Sequence, residues 1–493
     1  MKRDFLNCAI HLQADDSKAK HVYDDKYSKL RSNYQRDRDR ILYSASFRRL
    51  VGKTQIFNVG GDDNYRNRIT HTLEVMQIAT TITKALGLNS ELTEAIALGH
   101  DIGHTPFGHV GERTLNYIMN NCDFIGKEVI NFSEKERGFK HNLQGLRILC
   151  DIEKQSRDYP GKNITVDTLW GIANHSDIKC EECKFLNDKD SRCSLRKINK
   201  LCHRENTSSI IYPYVDFYDK YLDKLSQYEA WTFEAYAVKY ADEIAQRHHD
   251  IEDGITSSLF TAKDFILKFE ECFSGTPCYT QSIEDEVKNI QIEIKEHSNE
   301  INKYNNFILP RLRKFTIDFY VKNYILGVST KLRRIINKYK IKNSDDFYND
   351  KKRISEENNI DELMNFSDRF IEPDKKIKEA LKETVLYSQK AQLMDGKGMY
   401  IIRKIFDAYL TTPNQLPDHI IVRIFTEYGK LKVTDEITKY HIGELRNEMK
   451  NKPLKDRSFF VCLCRNICDY ISSMTDRYAL KQYENLYEPI ILL

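Results

Sequence analysis

The 493-residue sequence has almost no net charge and no long apolar run. Its formal charge of +3 at pH 7 gives the whole chain no electrostatic case for binding nucleic acid or anionic membranes. Nowhere do about 18 apolar residues follow one another, so we expect no transmembrane helix and no membrane partner. The first residues also carry no apolar segment typical of a signal peptide, and we therefore expect a cytoplasmic protein.

The 12 cysteines do not suggest a disulfide framework, because most are scattered and no export signal accompanies them. We interpret them as reduced thiols. The segment CLCRNIC at 462–468 is typical of a buried helix in which cysteine packs as a small apolar residue. A second group of cysteines, near residue 190, is considered below.

Few segments alternate with a period of two, and helical periodicity dominates. Apolar residues in 71–88 cover one side of a helix, and 90–103 predicts another helix with Ser90 as its N-cap. Thr105 and Pro106 predict the cap and first residue of the next helix. The fold class is therefore mainly α, in one large domain with lobes or in two domains.

The stretch GHDIGHTPFGHVGE at residues 99–112 contains three histidines, one aspartate and one glutamate. If the preceding helix ends near residue 103, His100 and His104 lie one turn apart and point the same way. Asp101 follows His100, and imidazole nitrogen with carboxylate oxygen suits divalent metals. The stretch predicts a group of metal ligands.

Beyond the proline of that stretch, His109 and Glu112 are three residues apart and share a helix face. They form a separate potential acid/base pair. A surface His-Asp pair is the plainer interpretation of this region, but the crowding of imidazoles favours a functional site.

Two further motifs strengthen this interpretation. RNRITHTLEV at 66–75 places His71 near the start of an amphipathic helix, and YADEIAQRHHDIEDG at 240–254 supplies Asp242. A histidine, a His-Asp pair and a distant aspartate form the H…HD…D pattern, which resembles the HD-domain metal-dependent phosphohydrolases.

The flanking residues resemble one family of that superfamily, the deoxyguanosine triphosphate triphosphohydrolases (dGTPases). The similar blocks follow the family's order from about residue 36 to 487 and lie at 43–75, 99–112, 138–149, 233–255, 395–417 and 467–483. The resemblance implies an HD-domain helical fold with a helical C-terminal lobe. It also implies hydrolysis of a dNTP to deoxynucleoside and inorganic triphosphate.

The resemblance further implies one divalent metal, without distinguishing manganese, magnesium, iron or zinc. Its ligands would be His71, His100, Asp101 and Asp242. Such an ion would polarise the α-phosphoryl group and offset the negative charge of the substrate.

Other family positions imply roles in catalysis and substrate binding. His109 would donate a proton to the leaving 5′ oxygen or order the attacking water, while Glu112 orients its imidazole. The implied substrate-binding residues are Arg68, His104 and His141 at the phosphates, and Gln55 and Asp250 at the sugar 3′-hydroxyl. As alternatives, the two histidines could satisfy buried backbone groups and Asp250 could cap a helix.

This sequence departs from the family at two places. Gln246 stands where a tyrosine commonly lies beneath the sugar, which leaves the exclusion of ribonucleotides open. The insertion 180–203 contains a cluster of thiols that suits a closed, structural zinc site: Cys180, Cys183, Cys193 and Cys202. Four free thiols on a loop are the alternative.

The expected domains are a substrate-binding N-terminal arm (1–60), an HD core (61–260) with the Cys-rich insertion (177–210), and a helical C-terminal region (261–493). The resemblance implies a homo-oligomer, tetramer or hexamer, with nucleotides as substrates and candidate activators. The role of such an enzyme would be dNTP-pool control or anti-phage defence, and dGTP is a candidate preferred substrate.

Two alternative functions remain open at this point. An HD phosphohydrolase could act on another nucleotide: a nucleoside monophosphate, a cyclic nucleotide or guanosine tetraphosphate. A nucleic-acid-binding module is weakly supported by the basic segment 331–342, for which a solvated helix face is the simpler interpretation.

Overall fold

The structure is a computed structural model. It describes residues 6–23, 30–55, 66–120, 132–156, 158–176, 215–297, 307–432, 439–450 and 456–488. These residues form helices without a β-strand, and two isolated antiparallel bridges join His21 to Thr165 and Thr54 to Asn67. The predicted all-α fold class is therefore confirmed. None of the helices in these ranges combines the length and apolar character that a membrane span requires.

The described α-helices follow in chain order. They are α1 (Asn33–Leu42), α2 (Ala45–Arg49), α3 (Arg68–Leu86), α4 (Ser90–Gly99), α5 (Gly108–Ile118), α6 (His141–Arg147), α7 (Val166–Asn174), α8 (Asp219–Ser226), α9 (Phe233–Thr256) and α10 (Ala262–Phe273). The second half contains α11 (Gln281–His297), α12 (Leu309–Tyr339), α13 (Ser344–Glu357), α14 (Ile360–Met364), α15 (Asp368–Leu381), α16 (Gln389–Thr411), α17 (Asp418–Glu427), α18 (Lys439–Glu448), α19 (Arg457–Ser472) and α20 (Asp476–Tyr487).

The turn between α4 and α5 differs from its prediction. Helix α4 stops at Gly99, so His100 and Asp101 lie in the turn that follows it rather than within a helix reaching residue 103. Helix α5 begins at Gly108, and the two left-handed residues before its first full turn, Phe107 (φ 60°) and Gly108 (φ 62°), redirect the chain there. The predicted start at Thr105 and Pro106 is therefore wrong.

Two smaller predictions have different outcomes. Asn89, rather than Ser90, caps α4, because its side chain accepts the N–H groups of Glu91 and Leu92. The segment 462–468 lies on α19 as predicted, with Cys464 and Cys468 buried. The Cys-rich insertion, with Cys180, Cys183, Cys193 and Cys202, lies outside the described residues.

The helices pack around three apolar cores. The largest joins α3, α4 and α9 to the helices α10–α15. A second core joins α5 to the helices α16–α20, and a third lies among α1, α4, α6, α7 and α8. The helices that carry the histidine motifs therefore come from all three cores, and burial of apolar side chains holds them together.

The C-terminal helices hold the turn that precedes α5. Lys53 donates its ammonium to the carbonyl oxygens of His104 and Ser472, at 2.8 Å from the latter. Asp476, the first residue of α20, accepts the backbone N–H groups of Thr54 at 3.0 Å and Phe107 at 2.9 Å. Both contacts join residues from the end of the chain to the histidine-rich turn.

We predict that Asp476→Ala lowers the free energy of unfolding by about 2 kcal/mol, because buried N–H groups of Thr54 and Phe107 lose their acceptor. Asp418→Ala is the matched control, since Asp418 also begins a helix but forms an exposed ion pair with Arg446. It should cost under about 1 kcal/mol. Chemical denaturation measures both, and equal losses would contradict the assigned link.

Candidate metal centre and active site

Histidine side chains gather where α3, α5, α6, α7 and α9 approach one another. Of the 14 histidines in the chain, those linked by ring contacts in this region are His71, His100, His104, His109, His141, His175, His248 and His249. Within this region, the side chains predicted to bind metal, to act as acid or base and to bind phosphate form two groups that share a boundary near Arg68.

The first group contains the four predicted metal ligands. His71 lies in the first turn of α3, His100 and Asp101 follow α4, and Asp242 lies on α9. His71 Nε2 is 2.9 Å from Asp242 Oδ1, and His100 Nε2 is 3.6 Å from Asp101 Oδ1 and 4.0 Å from Asp242 Oδ1. The turn and two helices thus bring together residues that are up to 171 positions apart in the sequence.

This group has the donor set that a divalent metal requires. His71, His100 and Asp101 each offer one ligand atom, and these atoms lie within 4.8 Å of one another. His100 Nδ1 donates to the Ala97 carbonyl at 2.6 Å, so its Nε2 carries the lone pair. That Nε2 is buried without a hydrogen-bond partner among the described residues. A metal ion would satisfy it.

Arg68 keeps Asp101 ionised. Its Nη1 donates to Asp101 Oδ2 at 2.7 Å, and both side chains are buried. Burial alone would raise the pKa of Asp101, but the Arg68 guanidinium and the neighbouring imidazoles outweigh it and hold that pKa well below its usual range. Arg68 Nε and Nη2 are also buried, and neither has a hydrogen-bond partner within the part of the chain that the structure describes.

The second group contains His104, His109, Glu112 and His141, whose nearest ligand atoms lie within 4.8 Å of one another. His104 and His141 stack with ring centroids 3.9 Å apart. Glu112 accepts the backbone N–H of His141 at 3.1 Å and the Lys140 ammonium at 2.6 Å, and it also hydrogen-bonds the His141 ring. Among the described residues, Glu112 thus forms its hydrogen bonds with His141 and Lys140. His109 lies near Glu112 but forms no hydrogen bond with it there.

The surroundings of the two acid/base candidates, Glu112 and His109, lower the pKa of both side chains. Burial would raise the pKa of Glu112, but the charges of His141 and Lys140 hold it well below its usual range. The His109 ring is exposed, yet the protein packed around it disfavours the cation and lowers its pKa to about 4 despite the Glu112 carboxylate. Glu112 is therefore ionised and His109 mainly neutral at pH 7.

Two of the three residues predicted at the sugar lie on the same helix as Asp242. Gln246 and Asp250 are four residues apart on α9 and so share the face that carries Asp242. Asp250 Oδ1 and Gln55 Oε1 are both buried and lack a hydrogen-bond partner among the described residues. Burial raises the pKa of Asp250 to about 7, against the lowering effect of Arg247. These acceptors suit a hydroxyl-bearing ligand.

The sequence interpretation missed His175, His249, Glu74 and Lys140. His175 Nδ1 donates to the Ile172 carbonyl at 2.7 Å, and its Nε2 is 3.3 Å from His141 Nε2. The available signal was composition: most of the chain's histidines lie in this region. Single residues on separate helices leave no periodic pattern, so the partner of each could not be inferred.

Comparisons with known proteins agree with this geometry. The family model described as HD domain matches residues 68–247. The model described as Phosphohydrolase-associated domain matches 364–437 and 441–485. The first match contains all residues of both groups, whereas Gln55 and Asp250 lie outside it, and it shows that the chain contains an HD domain.

Curated relatives extend the similarity to almost the whole chain. A deoxyguanosinetriphosphate triphosphohydrolase-like protein of Pelagibacter ubique is 30% identical over 476 residues, which cover 96% of this chain and 98% of the relative. Similarly named proteins of Geobacter metallireducens and Leptospira interrogans are 29% and 30% identical and are covered to 91% and 92%. The chain belongs to the deoxyguanosinetriphosphate triphosphohydrolase-like family, and it is a hydrolase of phosphate esters.

We predict that Asp250→Asn stabilises the protein above neutral pH. The folded state binds a proton at Asp250 more tightly than the unfolded chain, since its pKa rises to about 7 on folding. The wild type therefore loses stability as pH rises from about 4 to 7, and the neutral amide avoids that loss. The expected gain is about 2–4 kcal/mol at pH 8 and near zero at pH 4. Denaturation at both pH values measures it; a gain independent of pH would contradict the burial of this carboxyl group.

Proposed function

We propose that this chain is a metal-dependent dNTP triphosphohydrolase. It hydrolyses a dNTP to deoxynucleoside and inorganic triphosphate by breaking the bond between the 5′ oxygen and the α-phosphorus. The observation that carries the proposal is the pair of buried, unpartnered Arg68 donors beside an imidazole–carboxylate group, noted for the described residues. An anionic ligand next to a divalent cation would satisfy both, and the names of the curated relatives support a nucleoside triphosphate.

The residues suited to hold the metal are His71, His100, Asp101 and Asp242. The ion would supply Lewis-acid polarisation of a phosphoryl oxygen and would lower the pKa of water. Asp101 and Asp242 are the anionic ligands. Burial would raise both pKa values, but the Arg68 guanidinium holds the pKa of Asp101 below its usual range and the contact with His71 does the same for Asp242. With two carboxylates and two neutral imidazoles, the group would neutralise a divalent ion while keeping imidazole nitrogens in its coordination sphere.

Arg68, His104 and His141 are proposed to bind the triphosphate. Arg68 Nη1 is occupied by Asp101, which leaves Nε and Nη2 for phosphate oxygens. Gly108 lies so near that a Cβ atom there would be 3.4 Å from Arg68 Nη2, and its left-handed backbone disfavours other residues. The Cβ contact itself would be an ordinary van der Waals contact, so the backbone conformation is what favours glycine here.

His109 is proposed to act as the general base and then the general acid of the reaction. Its neutral ring can accept a proton from the attacking water, and the same proton can then pass to the leaving 5′ oxygen. Glu112, through its contacts to His141 and Lys140, holds cationic and imidazole donors near His109 and the phosphates. The direct orientation of His109 by Glu112 remains a prediction.

The sugar-binding role of Gln55 and Asp250 rests on their buried oxygens, which lack a hydrogen-bond partner in the described parts of the chain and could accept the 3′-hydroxyl. Gln246 lies one turn from Asp242 on α9 and is partly buried. A polar side chain there can donate to and accept from a ribose hydroxyl. The proposal therefore expects weaker discrimination against ribonucleotides than an aromatic residue would give.

We predict that purified protein with Mn²⁺ or Mg²⁺ releases triphosphate and a deoxynucleoside, with dGTP tested first. His109→Ala should lower kcat by about 100-fold or more, because the proton transfer loses its side chain. His11→Ala, at an exposed histidine outside the site, is the matched control and should leave kcat unchanged. Anion-exchange chromatography of reactions with each dNTP and NTP, singly and mixed, measures the products.

The products distinguish the proposal from the other enzymatic interpretation. Release of mono- or diphosphate would place the cleaved bond elsewhere and contradict a triphosphohydrolase. Turnover of a cyclic nucleotide or guanosine tetraphosphate, without turnover of any dNTP, would favour a different HD phosphohydrolase. Absence of turnover in the mixed-nucleotide reactions would contradict the enzymatic proposal itself.

A further inference from the structure

Glu74 and His249 lie behind the metal ligand His71 and have no role in the proposed reaction. Glu74 follows His71 by three residues on α3, so the two share a helix face, and His249 approaches both from α9. His71 Nδ1 is 3.3 Å from His249 Nδ1, and His249 Nε2 hydrogen-bonds Glu74 Oε2. Both imidazoles are buried, whereas Glu74 is partly exposed.

The protons in this chain of contacts can be assigned from its geometry. His71 Nε2 faces Asp242 and must carry a lone pair if it is to bind a metal, so the ring proton lies on Nδ1. His71 Nδ1–H then donates to His249 Nδ1, which must carry a lone pair. The proton of His249 therefore lies on Nε2 and is donated to the Glu74 carboxylate. If a metal ion takes the lone pair of His71 Nε2, one arrangement of neutral rings satisfies the contacts among His71, His249 and Glu74.

We propose that Glu74 and His249 are positioning residues that fix the tautomer and ring orientation of the metal ligand His71. This inference rests on the proposed function, because it takes His71 as a ligand. Because the Glu74 carboxylate accepts the N–H of His249, and His249 in turn accepts the N–H of His71, His71 Nε2 becomes a stronger electron-pair donor. It also prevents rotation of the His71 ring away from Asp242. The carboxylate thus acts on the metal site through a second imidazole.

His71 and His100 are oriented by different means. His100 Nδ1 donates to the carbonyl of Ala97 on the preceding helix, which no side-chain substitution removes. His71 depends on two side chains from α3 and α9. A substitution at Glu74 therefore weakens one ligand of the pair and leaves the other intact.

A second metal ion among Glu74, His248 and His249 is the competing interpretation. These residues offer ligand atoms within 4.8 Å of one another, and His248 Nε2 is buried without a hydrogen-bond partner in the described structure. However, such an ion needs a lone pair on His249 Nε2, which moves the ring proton to Nδ1. Two N–H donors would then face each other across the 3.3 Å contact with His71. The tautomer required for the first metal thus disfavours the second.

Mn²⁺ binding to the full-length protein, measured by titration calorimetry, tests the proposal. His71→Ala should abolish the tight site. Glu74→Gln keeps the shape but removes the charge, and it should weaken Mn²⁺ binding by about 10- to 100-fold. Thermal melts of each variant show whether it is folded, and a purely structural Glu74 would shift the melt without changing Mn²⁺ affinity.

Glu252→Gln is the matched control. Glu252 hydrogen-bonds Arg66, and Arg66 also lies 3.6 Å from Glu74. The Glu252 carboxylate is 4.0 Å from His248 Nε2. Glu252 does not belong to the hydrogen-bonded series from Glu74 through His249 to His71. Its Mn²⁺ affinity should remain within about 2-fold of the wild type, since loss of a charge without the hydrogen-bonded path leaves the ligand oriented.

The outcomes separate failure of this inference from failure of the proposed function. Wild-type protein without Mn²⁺ binding, or full affinity in His71→Ala, would overturn the proposed metal site itself. Loss of binding in His71→Ala with wild-type affinity in Glu74→Gln would overturn the positioning role alone. Two bound ions in the wild type, one of them lost in Glu74→Gln, would replace the positioning role by a second metal site.

Discussion

The buried ion pair between Arg68 and Asp101 is the contact on which the site depends. An ionised carboxylate removed from water is costly unless opposite charge and hydrogen bonds compensate it. Arg68 begins α3 and Asp101 follows α4, so their 2.7 Å contact joins the two helix ends that also carry His71 and His100. The pair keeps an ionised carboxylate, the proposed metal ligand Asp101, inside the protein and links the turn that carries His100 to the helix that carries His71.

The same guanidinium divides the histidine-rich region into two parts with different chemistry. On one side, imidazoles and carboxylates with lone pairs suit a cation. On the other, His104, His109 and His141 gather around Glu112, and the Lys140 ammonium supplies N–H donors beside them. Arg68 Nη1 donates to Asp101, whereas Nε and Nη2 have no hydrogen-bond partner among the described residues. The guanidinium can therefore link a cation on one side to phosphates on the other. This arrangement is the physical basis for a phosphate-ester hydrolase.

Sequence patterns predicted helices and a group of candidate metal ligands, but not the contacts that support them. Apolar periodicity located α3 and α4, and the adjacent His100 and Asp101 indicated a ligand group. The turn before α5 was mispredicted, because a left-handed phenylalanine has no sequence signature. The contacts of Asp476 with Thr54 and of Glu74 with His249 join single residues across 422 and 175 positions, and one sequence contains no periodic trace of such pairs.

The most direct test of the account is the position of the bound metal. Crystals grown with Mn²⁺ would be measured for anomalous scattering at the manganese edge. We predict a strong peak about 2.0–2.3 Å from the ligand atoms of His71, His100, Asp101 and Asp242. A peak among His104, His109, Glu112 and His141 instead, or no peak in crystals of protein that binds Mn²⁺ in solution at this site, would contradict it.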